Sequence, residues 1–278
     1  MGEIKNISYT FDRPSEYTGL LTSKPIVWTG ALSSKKPKDD FYGVPLEEAL
    51  KQSEKGWPEG LKDISRELDD MRALNKINSR PAYENSVAGF APDIPRAVAG
   101  LPDSMLAQGA EHVKAKPVIH MLINSVFSCG IKHNTVLWRG AAVLSFIDKL
   151  EQEGHSVEIT LYSHNRCFGV KGPYVDFMLT LKRAGESLDL DRMGYWLVSP
   201  TVHRRLFFRL CELHDIEGQY SGNYGRPENF SSEKITEINP TVHMGKMDRN
   251  FSTKEKAFNF VKNHIETSLE KAWAQQEV

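Results

Sequence analysis

Cysteine is scarce in this chain of 278 residues, and the three that occur, Cys129, Cys167 and Cys211, are far apart and odd in number. A disulfide framework needs paired, recurrent cysteines, so the pattern points to free thiols in a reducing compartment. No two of them have zinc-ligand spacing, and the histidines are scattered without a His-x-x-x-His pair. Long apolar runs are also missing. No stretch reaches the length that crosses a bilayer, and Met1 to Asn6 lack the apolar segment of a signal peptide. These absences together predict a cytosolic protein. Net charge is nearly absent at -1, so no global field draws the chain to nucleic acid, and any such contact must come from a local patch. A Gly-rich phosphate loop of the Walker type is missing, since Gly169-x-x-Gly172 is too short for one.

What is present is ordinary for a globular protein. A hydrophobic fraction of 40% can build a core, and 26% of residues are charged. The length fits one large domain or two small ones. Neither an internal repeat nor a low-complexity tract is visible.

The first forty residues mix Pro, Ser, Gly and Lys. Pro25-Ile26-Val27-Trp28 reads as a strand, and Ser33 to Asp40 as a charged loop. Val44 to Lys55 reads as a short helix, with Pro45 near its start, and Gly56-Trp57-Pro58 breaks it. From Gly60 to Asn75, the spacing of Leu61, Ile64, Leu68, Met71 and Leu74 makes one apolar helical face. Ser79 to Asp103 is rich in Pro and Gly and reads as an ordered connector. Residues 1–115 are therefore expected to form a helical and irregular region packed on a core spanning 116–278.

That core carries the clearest signal. Pro117 to Phe127 is almost continuously apolar, as suits a strand buried on both faces of a parallel sheet. A helix is predicted from Thr135, as cap, to Glu153, with Leu137, Ala141, Leu144, Ile147 and Leu150 on its buried side and Gly154 as its left-handed stop. Ser156 to Tyr162 alternates and gives a second strand, parallel to the first across a helical crossover. Tyr174 to Leu181 is a third strand, antiparallel because the loop before it is too short for another crossover. Asp189 caps one helix and Ser199-Pro200 starts the next. Thr236 to His243 reads as a late strand. Ser252-Thr253-Lys254-Glu255 is a capping box for a terminal helix whose apolar face is Phe258, Val261, Ile265 and Leu269.

The order of buried strand, Ser/Asn-bearing loop, helix (RGAAVLSFIDKLEQEG), strand and antiparallel strand, over residues 116 to 215, resembles the von Willebrand A domain. The resemblance implies an α/β, Rossmann-type sheet with flanking helices. Metal-binding members carry Asp-x-Ser-x-Ser after the first strand. Here the stretch is Asn124-Ser125-Val126-Phe127-Ser128, which keeps only Ser128. An amide and a valine are poor ligands for a hard divalent cation, so the metal site is expected to be degenerate and no cofactor is implied. The chain is also similar to bacteriophage proteins that carry such a degenerate core. The similarity lies in Leu188 to Phe208 (LDLDRMGYWLVSPTVHRRLFF), Gly89 to Pro95 and Gly100-Leu101-Pro102. Among them are single-stranded-DNA-binding transcription proteins of lytic podophages. That resemblance implies single-stranded DNA and a phage RNA polymerase as partners, and no enzymatic activity.

The residues offer several candidate sites. Open α/β sheets bind ligands beyond the carboxyl ends of their parallel strands. Those ends lead here into Lys132-His133 and His164-Asn165-Arg166, which are cationic or polar. The Gly218 to Pro227 loop adds Tyr220, Tyr224 and Arg226, and single-strand binders use aromatic faces with arginines. Arg205 and Arg209 of HRRLFFR share a helix face and read either as solvated arginines or as a phosphate-tracking edge. Cys129 near His133 has the makings of a nucleophile and its base, but no third orienting group is evident, and an ordinary loop pair accounts for them as well. Asp189 and Asp191 fit a helix start, where carboxylates favour the dipole. Two alternatives to DNA binding stay open. One is a von Willebrand A-like interaction scaffold, such as a partner of a ring ATPase. The other is a nuclease, which would need an acidic metal cluster.

Overall fold

The computed structural model describes residues 6–27, 35–38, 41–74, 83–89, 91–108, 116–166, 173–214 and 226–274. The protein is built on a mixed α/β sheet. Its strands are β1 (Ile7–Phe11), β5 (Ile119–Asn124), β6 (Val157–Arg166), β7 (Tyr174–Lys182) and β9 (Val242–Met244), in the order β1-β7-β6-β5-β9. A two-residue strand, β8 (Arg226–Pro227), pairs antiparallel with the end of β6. β5 runs parallel to both β6 and β9, and β7 runs antiparallel to β6. Of the apolar run at 117–127, Ile119–Asn124 becomes a strand, paired on both edges and buried at every position but the half-buried His120.

Between β5 and β6 lies α5 (His133–Gln152). Leu137, Ala141, Leu144, Ile147 and Leu150 are all buried, and Gly154 ends the helix region with φ +87°, a conformation that favours glycine. The N-cap is Lys132, however, and Thr135 lies inside the first turn with its hydroxyl on Asn250 Oδ1 at 3.1 Å. On the same face of the sheet, α3 (Pro58–Leu74), α6 (Leu190–Val198) and α9 (Lys254–Ala274) pack against α5. Alternate strand residues such as Met121, Ile123, Ile159, Leu161 and Phe177 meet them in one core. The opposite face is covered around Leu122 and Tyr162 by Phe230 and by α8 (Ser232–Ile238).

Four features differ from the sequence reading. The residues before 116 contribute β1 to the sheet itself, parallel to β7, and a helix not read from the sequence, α1 (Pro14–Ser23), whereas α2 (Leu46–Lys55) forms where a helix was read. Pro25 to Val27 is not a strand; it is a coil whose Val27 N–H donates to the Glu212 carbonyl, while Trp28 lies outside the described residues. The connector at 79–103 holds a small antiparallel sheet of β2 (Tyr83–Ser86), β3 (Ala91–Pro92) and β4 (Met105–Gln108), with α4 (Ile94–Val98) between β3 and β4. Finally, the segment read as a strand from Thr236 to His243 starts as the last turn of α8, not as extended chain. That helix ends at Asn239 in the left-handed conformation, φ 50°, and only Val242–Met244 is extended. No helix among the described residues is long and apolar enough to cross a membrane.

The two predicted helices after Asp189 form as expected. Asp189 accepts the Arg192 N–H at 3.1 Å, and α6 ends at Ser199. The next helical run contains a π-helical stretch, Val202–Phe207, which leads into α7 (Phe208–Cys211). Every residue from Val202 to Cys211 is buried.

Candidate functional site

Beyond the carboxyl end of β5 the chain turns through Phe127 and Ile131 into α5, and a wide cleft of about 770 Å³ opens there. One wall is the β5–α5 loop, with Cys129, Lys132 and His133 exposed. A second wall is Ser199, Pro200 and Thr201. The third comes from the N-terminal region, with Phe41, Trp57, Glu59 and Asp63.

The β5–α5 wall is pinned from behind. Asn250, in the segment between β9 and α9, accepts the Lys132 N–H at 2.8 Å and the Thr135 hydroxyl at 3.1 Å through Oδ1. Its Nδ2 donates to the Gly130 carbonyl at 2.9 Å. The loop is therefore fixed by side-chain hydrogen bonds while Lys132 projects to solvent. On the far wall, Asp191 does not simply decorate the start of a helix. Its carboxylate accepts the Trp57 N–H at 2.7 Å, and it lies so close to Gly56 (φ +88°) that a Cβ there would meet Oδ2 at 2.4 Å. Trp57 is placed at the cleft by that contact.

The stretch that resembles a degenerate metal motif is used structurally. Asn124 is completely buried. Its Nδ2 donates to the Glu228 carbonyl at 2.9 Å and to Asn229 Oδ1 at 3.2 Å, and its Oδ1 accepts the Val126 N–H at 2.9 Å. The amide uses both its donor and acceptor ends. A carboxylate would lose both donors and face two acceptors. Among the described residues no group of three or more His, Cys, Asp or Glu is arranged to hold a metal ion.

The end of β6 is different in character. The His164 ring stacks on Tyr174 with centroids 4.3 Å apart, and its Nδ1 lies 3.4 Å from Asp176. The Arg166 guanidinium lies 4.9 Å from the centroid of the Tyr174 ring and pairs with Glu228 at 3.2 Å. The Tyr174 hydroxyl also donates to Glu228 at 3.1 Å. His164 and Arg166 do converge, as their sequence positions imply, but each faces a carboxylate from β7 or from the segment after β8. Arg226 is exposed and pairs through its backbone with Arg166. Tyr220 and Tyr224 lie outside the described residues.

Arg205 and Arg209 correct the expectation of a phosphate-tracking edge. Arg205 is fully buried, and its guanidinium donates to the carbonyls of Val44 (2.8 Å), Lys36 (2.9 Å), Pro37 (2.8 Å) and Gly43 (3.3 Å). Arg209 donates to the carbonyls of Leu21 at 3.1 Å and Lys24 at 2.8 Å, where α1 ends and leaves acceptors unsatisfied. Arg204, which lines the cleft, donates to the Phe41 carbonyl at 2.8 Å, with its guanidinium 4.0 Å from the Phe41 ring and 4.8 Å from the Phe127 ring. These arginines hold N-terminal chain against the core. Neighbouring His203 is buried with them, and burial pushes its imidazole down to about 3.

Sequence reasoning thus found the β5–α5 loop but missed the other two walls of the cleft. Phe41, Trp57 and Asp63 come from a region read as flanking, and nothing in their local pattern signals a site. The Pro200 position was visible only as a helix start.

No curated protein and no solved structure matches the chain. A family model described as a domain of unknown function (DUF7192) matches residues 5–273, almost the full length, and the chain belongs to that family.

Proposed function

We propose that this protein is a non-catalytic interaction module on a von Willebrand A-like core, and that a partner protein inserts an acidic segment into the cleft at the end of β5. The strand order β7-β6-β5-β9, with β7 antiparallel, supports the core assignment. The observation that carries the binding reading is the pinned β5–α5 loop. Lys132 and His133 project from a loop held by Asn250, next to a cleft of about 770 Å³. A fixed loop presents charge at little entropic cost on binding. In a metal-dependent relative of the resembled fold, an ion would draw an acidic ligand group; here Asn124 is committed to the Glu228 carbonyl, Asn229 Oδ1 and the Val126 N–H, and Lys132 of the loop takes that place.

A second reading is single-stranded DNA in the same cleft, with a phage RNA polymerase as eventual partner. It is favoured by Phe41 and Trp57 standing beside Lys38 and Lys132, a pairing of ring faces with cations. It is disfavoured by the carboxylates that face His164 and Arg166 and by the inward course of Arg205 and Arg209.

Fluorescence anisotropy separates the two. A labelled Asp/Glu-rich peptide and a labelled oligothymidylate are titrated with the full chain over a range of salt. Saturable peptide binding that Lys132→Glu weakens supports the first reading. Oligothymidylate binding that is tighter than peptide binding, and falls steeply with salt, overturns it in favour of the second. Binding of neither probe refutes both.

A further inference from the structure

A second, smaller cavity of about 180 Å³ lies between the segment after β9 and the flank of α9, and it shares no lining residue with the cleft. Its most telling wall is Arg139, from the buried side of α5. Arg139 is 6% exposed. Its guanidinium donates to the carbonyls of Asn124 at 3.2 Å and Gly245 at 2.9 Å, and among the described residues no carboxylate reaches ion-pair distance of it. A buried cation without a counter-charge is costly, and protein interiors almost always supply one. Burial accordingly pulls the Arg139 guanidinium down to about 10.

The rest of the cavity repeats the imbalance. Lys246 is half-buried, and its ammonium donates to the Pro227 carbonyl at 2.9 Å, again with no carboxylate partner among the described residues. Arg249 lies over the Phe260 ring at 5.2 Å and pairs with the exposed Asp248. Three cations and one carboxylate therefore line a space whose remaining surface is mostly apolar. Phe260 keeps 39% of its surface exposed on the cavity rim, with Phe251 packed beside it at 5.4 Å between centroids.

We infer that this cavity binds a small organic anion, with a carboxylate or phosphate head toward Arg139 and Lys246 and a short apolar body against Phe260. The head supplies the counter-charge that the chain itself withholds. The body covers the exposed ring. Either head group satisfies a guanidinium that already spends two donors on carbonyls, because an anion accepts from the remaining ones and from the lysine together.

The test uses the full chain and four probes in calorimetric titration: phenylphosphate, benzoate, inorganic phosphate and benzyl alcohol. Phenylphosphate or benzoate should bind saturably, at least about tenfold tighter than inorganic phosphate, which lacks the body, and than benzyl alcohol, which lacks the charge. The stronger of the two aromatic anions identifies the head group. Arg139 also holds two loop carbonyls, so its replacement can unfold the site. Lys246→Gln and Arg249→Gln are the informative variants, and Lys246→Gln should weaken the aromatic anion about tenfold with the thermal midpoint of the unliganded chain unchanged. Lys132→Glu, in the cleft, should leave it unaltered, so this result is independent of the outcome there. Failure of both aromatic anions to saturate at millimolar concentration overturns the inference. So does affinity that survives both glutamine variants, or benzyl alcohol binding as tightly as benzoate.

Discussion

The helical segment from Val202 to Cys211 and the loop from Cys129 to His133 both carry cations, and they use them in opposite ways. In the first, Arg204, Arg205 and Arg209 are buried and donate to carbonyls of the N-terminal region. In the second, Lys132 stands in solvent on a loop whose backbone is already satisfied by Asn250. A cation that serves as a structural donor is not available to a ligand, and a cation available to a ligand contributes little to folding. The difference between the two lies in which backbone acceptors are in reach. Charge count and helical periodicity carry no information about it.

The contrast is open to direct measurement. The largest effect is expected at Arg205. Arg205→Met leaves four carbonyls without their donor, and urea denaturation should show a loss of about 4 kcal/mol. A loss comparable to that of an exposed lysine would break the distinction between the two sets.

Acid is the next largest perturbation. His203 is pushed down by burial to about 3, and His243, by burial and then by His264 and Arg139, to about 4. Both are therefore neutral in the folded protein while the unfolded chain takes up protons near 6.5. The unfolded state binds more protons between those limits, so stability is full above about 6.5 and falls as pH drops toward about 4 and then 3. Chemical denaturation over this range should show the fall, and His203→Phe should flatten its lower part. A flat profile in the wild type would mean that these histidines are not buried neutral.

Asn124→Asp comes third. The carboxylate loses two donors and is set against the Glu228 carbonyl and Asn229 Oδ1, with an expected cost of about 2 kcal/mol. The same substitution restores the acidic position of the resembled metal motif. Unchanged stability, or a gain on adding magnesium, would show that the amide is not the structural clasp described above. The smallest effect is at Lys132. Lys132→Ala should change stability by less than about 0.5 kcal/mol and alter only binding in the cleft. A larger loss would place it with the structural cations.

The sequence made part of this visible. The strand–helix–strand unit of β5, α5 and β6, the antiparallel β7 and the apolar face of α9 follow from period and composition, because each buries a continuous face against its near neighbours. β1 was missed although Ile7, Tyr9 and Phe11 alternate with Ser8 and Thr10, because five residues are too short a run to stand out and its partner is β7, far along the chain. The inward course of Arg205 was hidden for a related reason. Its acceptors are carbonyls more than 160 positions upstream, and carbonyls leave no mark in a sequence. At the candidate site, Lys132 and His133 could be read because they follow a recognisable strand. Phe41 and Trp57 could not, since only the tertiary fold brings them there.

The pairing of β1 with β7 sets a timetable for biosynthesis. The residue that Ile7 lies beside, Val175, is made 168 positions later. At typical translation speeds that interval lasts roughly 10 to 30 s. Throughout it, an apolar strand with unpaired backbone is exposed to other nascent chains. Until β7 arrives, β1 depends on chaperones, or on its own shortness, to stay out of aggregates.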